Sequence, residues 1–443
     1  VVREREMTVH LLSRAPAARV WGSVIASDGA TVTVRGLGRL AEIGNRIAVD
    51  SESGGHEGEI ISMREGIHVA LLYDPATGIR DGQRAWLAGP ARPAPDDTWL
   101  GTIVDAFGQT SGDATRVLRD ATEAAVEIRP ENRRPLGPRL ATGVAAFDTL
   151  VPICKGQRIG VFAGSGVGKS RLLSDLALGV RADVVVVGLI GERTREVGEF
   201  ARLLDDAGGL GRTVIVAATG DQSALIKRRA ADLTLRTAEH FRDAGKHVLC
   251  LFDSVTRFAE AHREIALAAG EPPAQRAYPP STGSMISALA ERTGPGAAGT
   301  EMGDITAIFT VLVAGSDMEE PVADMVRGIL DGHVILNREI AERGRFPAID
   351  LARSVSRSAP GAWSEAETVL ATKARRVISA YESAAPMIRA GLYAAGSDPA
   401  IDEAIALWPD LDAFIGTVAR GRDDLASFAE LARILSSGDT GAQ

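Results

Sequence analysis

Between residues 157 and 315, continuous apolar runs alternate with stretches whose apolar positions recur three and four apart. QRIGVFA, DVVVVGLI, TVIVAAT, HVLCLFD and DITAIFTVLVAG read as strands, and between the second and third Val197, Phe200, Ala201 and Leu204 share one helix face. This alternation predicts an α/β fold with a parallel sheet covered on both sides and ligands at the carboxyl ends of its strands. Residues 18 to 90 follow a shorter rhythm. TVTVRG alternates, EIISMREGIHVALLY supplies two strands, and turn formers at Asp28-Gly29, Gly36, Gly54-Gly55 and Asp81-Gly82 punctuate them. Many short strands with regular turns predict a small β-barrel or sandwich. AGPARPAPDDTW (88–99) is proline-rich and aperiodic, which marks a linker or surface crossing. From Ser364 the pattern turns helical: SEAE is a capping box, and Leu370, Ala374, Val377 and Tyr381 form the stripe behind it.

A chain of 443 residues is long enough for two or three domains, and its 45% hydrophobic and 24% charged content is that of a globular protein. The longest apolar runs fall well short of the ~20 residues a membrane span needs, and the N-terminus lacks a continuous signal-peptide core, so a cytoplasmic protein is expected. Cys154 and Cys250 are too few for a disulfide framework, and Cys250 sits in HVLCLFD, where a buried thiol is expected. A net charge of −9 argues against a surface built to grip nucleic acid or anionic lipid. The one basic stretch, RPENRRPLGPR (129–139), is broken by prolines and a carboxylate and reads as a solvated connector.

The chemistry concentrates at GVFAGSGVGKSRL (160–172). A phosphate loop needs glycines where backbone N–H groups turn inward, then Lys-Ser opening a helix. Ala163 stands where the signature has its first glycine; Gly164, Ser165, Gly166, Val167 and Gly168 form the turn, and Arg171 follows it. Lys169 is placed to reach the outer phosphates of a nucleotide, Ser170 to ligate Mg²⁺, and the helix N-terminus to favour the anion. Hydrolysis also needs a metal-side carboxylate and a group that handles water. Asp253 ends HVLCLFD and fits the first, with helix capping as its alternative use. Gly191-Glu192-Arg193 ends another strand and puts a carboxylate and a guanidinium at the same rim, with an ordinary first-turn helix acid as the alternative use of Glu192.

GERTRE, LFDSVTRFAEAHREIALAAGEPPAQRAYPPS, FTVLVAGSDMEEPVADMVRGILDGHVILNREIAERGRFPAID and SVSR together resemble the type III export ATPase family, relatives of the catalytic subunit of rotary ATP synthases. The resemblance runs from about residue 20 onward, is dense between 137 and 357, and in AGSGVGKS is nearer the flagellar than the injectisome branch. It implies a RecA-like P-loop core, with an N-terminal tail (1–17), a β-barrel-like domain (18–90), an ATPase domain (91–363) and a helical domain (364–443). It further implies Mg²⁺-dependent ATP hydrolysis energising flagellar protein export, through unfolding or release of substrates and chaperones at an export gate. Injectisome secretion and a rotary synthase-type subunit are the alternatives that share this chemistry.

By the same resemblance Lys169 and Ser170 hold phosphate and Mg²⁺, Glu192 polarises the attacking water, Arg193 and Arg257 support the phosphates, and Asp253 is the Mg²⁺-side acid. Phe346 matches an aromatic that packs on adenine, with a core phenylalanine as the alternative. Arg357 matches an arginine finger offered across a subunit boundary, with a surface ion pair as the alternative. Glu192 and Arg357 in one chain fit a homohexamer with nucleotide at its subunit interfaces. The implied partners are a stator-like regulatory subunit bound by the N-terminal segment, export gate proteins and substrate–chaperone complexes, at the periphery of the inner membrane and without nucleic acid. LGTIVDAFGQTSGDATRVLRD (100–120) follows the family pattern loosely, and Arg171 stands where a small or apolar residue is commoner.

Overall fold

The structure, a computed structural model, describes residues 20–50, 55–88, 93–110, 128–313, 318–421 and 423–437. The tail 1–17 and residues 111–120 of the loosely matching segment 100–120 lie outside the described residues. The chain forms two compact units. One comprises the described residues up to 88 with 222–226 and 261–280; the other comprises 93–221, 227–260 and the chain from 281 onward.

The first unit is built on six strands: β1 (Trp21–Asp28), β2 (Thr31–Arg35), β3 (Arg46–Val49), β4 (His56–Arg64), β5 (Ile67–Leu72) and β6 (Arg84–Ala88). They close into an antiparallel barrel in the order β1-β2-β5-β4-β3-β6, with Trp21 of β1 paired to Trp86 of β6. Closure decides between barrel and sandwich, and it leaves no strand edge unpaired. Val32 and Val34, and likewise Ile47 and Val49, point inward at every second position, with Val24, Ile60, Ala70, Leu72 and Ala85 filling the centre. At Gly58 a β-carbon would stand 2.2 Å from the carbonyl oxygen of Leu71, so the close approach of β4 to β5 requires glycine there.

The second unit holds an eight-stranded sheet: β7 (Ile103–Val104), β8 (Arg158–Ala163), β9 (Val184–Glu192), β10 (Thr213–Thr219), β11 (His247–Asp253), β12 (Asp304–Leu312), β13 (Gly332–Leu336) and β14 (Ile349–Ser356). The order is β14-β13-β8-β12-β11-β9-β10-β7, parallel throughout except for the antiparallel edge strand β14. All five strands expected from the apolar runs are present. Alternate residues of the central strands face opposite sides, yet Leu249, Cys250, Leu251 and Phe252 are all fully buried. A strand covered on both faces has no polar side to show, which is why these strands read as unbroken apolar runs. Cys250, at the centre, has its thiol pushed up to about 12 by burial and is inert at neutral pH.

One core cluster joins Val185, Val187, Leu249 and Leu251 of the sheet to Leu172 and Leu176 of the helix Lys169–Gly179 and to Val197, Phe200 and Leu204 of the helix Thr194–Asp206. It continues into the helices Glu365–Arg389, Pro399–Ile415 and Asp424–Ser437 through Val377, Leu407, Leu411, Phe428 and Leu431. Ser364 and Glu367 form the expected reciprocal capping box. Tyr381 stacks on Trp408 with ring centroids 4.1 Å apart, tying the first two of these helices together. The connector 129–139 is not simply solvated: Arg129 is exposed, but its other three arginines are engaged with the protein. Arg133 donates to the Thr293 carbonyl at 2.8 Å, Arg134 pairs with Asp304 at 2.8 Å, and Arg139 with Glu367 at 2.7 Å. The connector is thus pinned to both the sheet and the C-terminal helices. No helix among the described residues is long and apolar enough to cross a membrane.

Candidate active site

β8 ends at Ala163 and the chain turns through the loop 164–168 into the helix Lys169–Gly179. Gly166 and Gly168 have φ of +77° and +87°, a region that other residues enter only under strain. A β-carbon on Gly168 would also lie 2.9 Å from the Phe346 ring, so the second glycine is needed for space as well as for backbone angle. The first position of the motif is the end of a strand, and there Ala163 is accommodated without a positive φ.

Three charged groups converge at this loop. Lys169 Nζ lies 2.5 Å from Asp253 Oδ1 and 3.1 Å from Glu192 Oε1. β9 and β8 are not sheet neighbours, since β12 and β11 lie between them. The extended Lys169 side chain spans that gap. Burial works against the Lys169 ammonium, but Asp253 and Glu192 outweigh it and hold it above its ordinary value. Asp253, at the end of β11, is almost wholly buried; burial raises its carboxyl, with Lys169 and the Thr310 hydroxyl, which donates to Oδ1 at 2.5 Å, offsetting part of that. Gly191, at φ +76°, precedes Glu192 in a position where a β-carbon would press on the Arg257 stem at 3.0 Å.

An open cleft of about 630 Å³ lies over these groups, lined by the loop from Ala163 to Arg171, by Glu192 and Arg193, and by Arg257. Thr256, Glu196, Glu260 and Glu320 complete the rim. The two rim arginines are already engaged: Arg193 with Glu196 at 3.3 Å, its side chain 86% exposed, and Arg257 with Glu260 at 2.8 Å. Ser170 is exposed in the first turn of the loop helix. A glycine-lined helix N-terminus with an ammonium fits a triphosphate. Ser170 and Asp253 offer only oxygen donors, and among the described residues no cluster of three or more His, Cys, Asp or Glu could hold a metal. That donor set fits Mg²⁺, which takes one or two carboxylates together with substrate phosphates.

The structure brings Phe346 to the same loop and leaves the residue 38% exposed, unlike a core phenylalanine. It does not bring Arg357 there. β14 begins at Ile349, opposite Leu336 at the carboxyl end of β13, and ends at Ser356, opposite Gly332 at the other end. An eight-residue strand spans roughly 25 Å, so Arg357 is exposed at the rim opposite its own phosphate loop, its Nη2 3.4 Å from the Arg327 carbonyl. Thr310 carries no functional signal in the sequence: a single Thr in an apolar strand reads as a β-former, and only the pairing of β12 with β11 puts its hydroxyl on Asp253.

Residues 143–356 match the nucleotide-binding domain of the ATP synthase alpha/beta family, and residues 363–435 match the T3SS EscN ATPase C-terminal domain. The chain is 44% identical to a flagellum-specific ATP synthase of Caulobacter vibrioides, over 94% of this chain and 96% of the relative. It is 39% identical to that of Salmonella typhimurium, over 90% of each. Among solved structures, the assembled ATPase EscN of the enteropathogenic E. coli type III secretion system superimposes with a TM-score of 0.83 at 35% identity, covering 94% of this chain and all of that one. EscN in complex with its central stalk EscO gives a TM-score of 0.81 at 35% identity, with the same coverage.

Proposed function

The chain belongs to the family of flagellum-specific ATP synthases and is a type III export ATPase that binds and hydrolyses ATP; from that premise we propose how its residues divide the work. The observation that carries the proposal is the shared contact of Lys169 with Glu192 and Asp253 at the phosphate loop. A triphosphate entering the loop competes for the ammonium and leaves the Glu192 carboxylate facing the terminal phosphate. Glu192 then orients a water in line with the β–γ bridge and accepts its proton as the water oxygen bonds to Pγ. The Pγ–O bridge bond breaks, its electron pair leaves with ADP, and Lys169 keeps the charge of the phosphates neutralised. Mg²⁺, held by Ser170 and Asp253, would withdraw charge from the phosphate oxygens. Phe346 covers the adenine, and Arg193 and Arg257 support the phosphates from the rim.

Arg357 serves a neighbour's nucleotide. Its place across the sheet from its own loop suits a finger supplied in trans in a homohexamer with nucleotide at each interface. By analogy with the assembled EscN and its complex with EscO, the ring binds a central stalk, and the N-terminal segment binds a stator-like regulatory subunit. We assign it to the cytoplasmic face of the inner membrane, beside export gate proteins and substrate–chaperone complexes, and read it as three parts: a barrel-like domain (18–90), an ATPase domain (91–363) and a helical domain (364–443). Mixing two inactive variants tests the shared site. Arg357→Ala and Glu192→Gln chains, combined, should recover part of the turnover, because some interfaces regain both groups; no recovery at any mixing ratio refutes the trans role.

A further inference from the structure

The residue before Phe346 faces the other way. The Arg345 side chain is only 7% exposed, and its Nη2 donates to the Ile349 carbonyl at 3.0 Å, closing the turn that carries Phe346. Its Nε lies 3.0 Å from Asp412 Oδ1 on the helix Pro399–Ile415. Gly416, at the end of that helix, lets the two segments touch: a β-carbon there would meet Arg345 Cγ at 3.3 Å and the Phe346 carbonyl oxygen at 3.5 Å. Asp350 of β14 and Glu382 of the helix Glu365–Arg389 add negative charge around the guanidinium, and Arg343 adds positive charge. Among the described residues neither Nε nor Nη1 has a hydrogen-bond partner, so the contact with Asp412 is an ion pair.

A buried guanidinium is a costly way to fill space, since apolar residues of similar volume do so without the desolvation penalty. This one contributes instead a link between the turn that presents Phe346 and a C-terminal helix. We propose that Arg345 is a positioning residue that fixes the Phe346 ring against the phosphate loop, so that affinity for the nucleotide base follows the position of the helix Pro399–Ile415. The inference rests on the reading of Phe346 as the cover of the base.

The test separates base binding from phosphate binding in the full-length chain, using KM for ATP and the inhibition constant of inorganic tripolyphosphate, which has no base. Arg345→Lys keeps the charge but loses the planar fork that reaches Ile349 and Asp412 together. It should raise KM for ATP about fivefold, with the tripolyphosphate constant within about twofold. Asp412→Asn, which touches no nucleotide, should move KM in the same direction by about threefold and decides the matter should Arg345→Lys not fold. A parallel rise in both constants would mean a general loss of structure and overturns the inference. If Phe346→Ala raises KM while the other two variants do not, the inference alone falls. If Phe346→Ala leaves KM unmoved, the base-cover reading falls and takes the inference with it.

Discussion

The two ends of the sheet's strands are used in opposite ways. At the carboxyl ends of the parallel strands, β8, β9 and β11 deliver Lys169, Glu192 and Asp253 to one place, within 3.1 Å of a common ammonium. The antiparallel edge strand β14 does the reverse: it follows Phe346, held at that same rim, and ends by carrying Arg357 to the far one. Parallel strands collect groups from distant parts of one chain, because all their carboxyl ends face the same way. A reversed edge strand exports a group away from its own site. On the proposed reading, the first arrangement gathers the groups that one chain contributes to its own nucleotide, and the second places the group it contributes to a neighbour's.

The sharpest way to break this contrast is to remove the carboxylate proposed to orient the water. Glu192→Gln should lower turnover about a thousandfold while nucleotide binding is kept, and, unlike the Arg357 defect, the loss should be the same at every protein concentration. Equilibrium binding of a fluorescent ATP analogue beside a phosphate-release assay reads both. Turnover near wild type would end the assignment, and a loss that appeared only on assembly would merge the two rims into one function. A smaller effect is expected at Thr310. Thr310→Val removes the hydroxyl that donates to Asp253 and should cost about tenfold in kcat/KM. It should also move the pH profile. Burial already raises the Asp253 carboxyl, and loss of a donor to its charged form raises it further, so activity should fail at a higher pH on acidification than in the unsubstituted chain. An unmoved acid limb would show that Asp253 is not the group titrating.

The phosphate loop, Glu192 and Asp253 were legible because each sits in a short contiguous signal: a glycine turn between strand and helix, or an acid closing an apolar run. The order of the strands was not. That two strands separate β9 from β8 follows from crossovers over helices, which leave no local trace, and only the length of Lys169 makes the separation harmless. β13 and β14 leave little sequence signal because GHVIL is short and β14 mixes exposed Ala352, Arg353 and Val355 with buried Ser354, as an edge strand does. Arg345 carried no signal at all. In GRFPAID it reads as one more surface charge, and its burial depends on a helix more than fifty residues further along the chain.

Arg193 tests how far the collecting rim extends. It follows Glu192 directly, and family resemblance gives it a share in holding the phosphates, yet its side chain is 86% exposed and already paired with Glu196 one helical turn on. A guanidinium in that setting is screened by water and salt, and an exposed pair of this kind contributes about 0–1 kcal/mol. Arg193→Ala should therefore raise KM for ATP only about threefold, and most of that change should vanish when the assay is repeated at high salt. Lys169 is the contrast: two carboxylates and burial hold it in place, and no comparable change of salt should substitute for it. A loss at Arg193 of a hundredfold or more, insensitive to salt, would mean that the side chain leaves Glu196 and closes onto bound nucleotide. The rim would then be a site assembled by its ligand, and the line between the self-sufficient side of the sheet and the side that needs a neighbour would have to be redrawn.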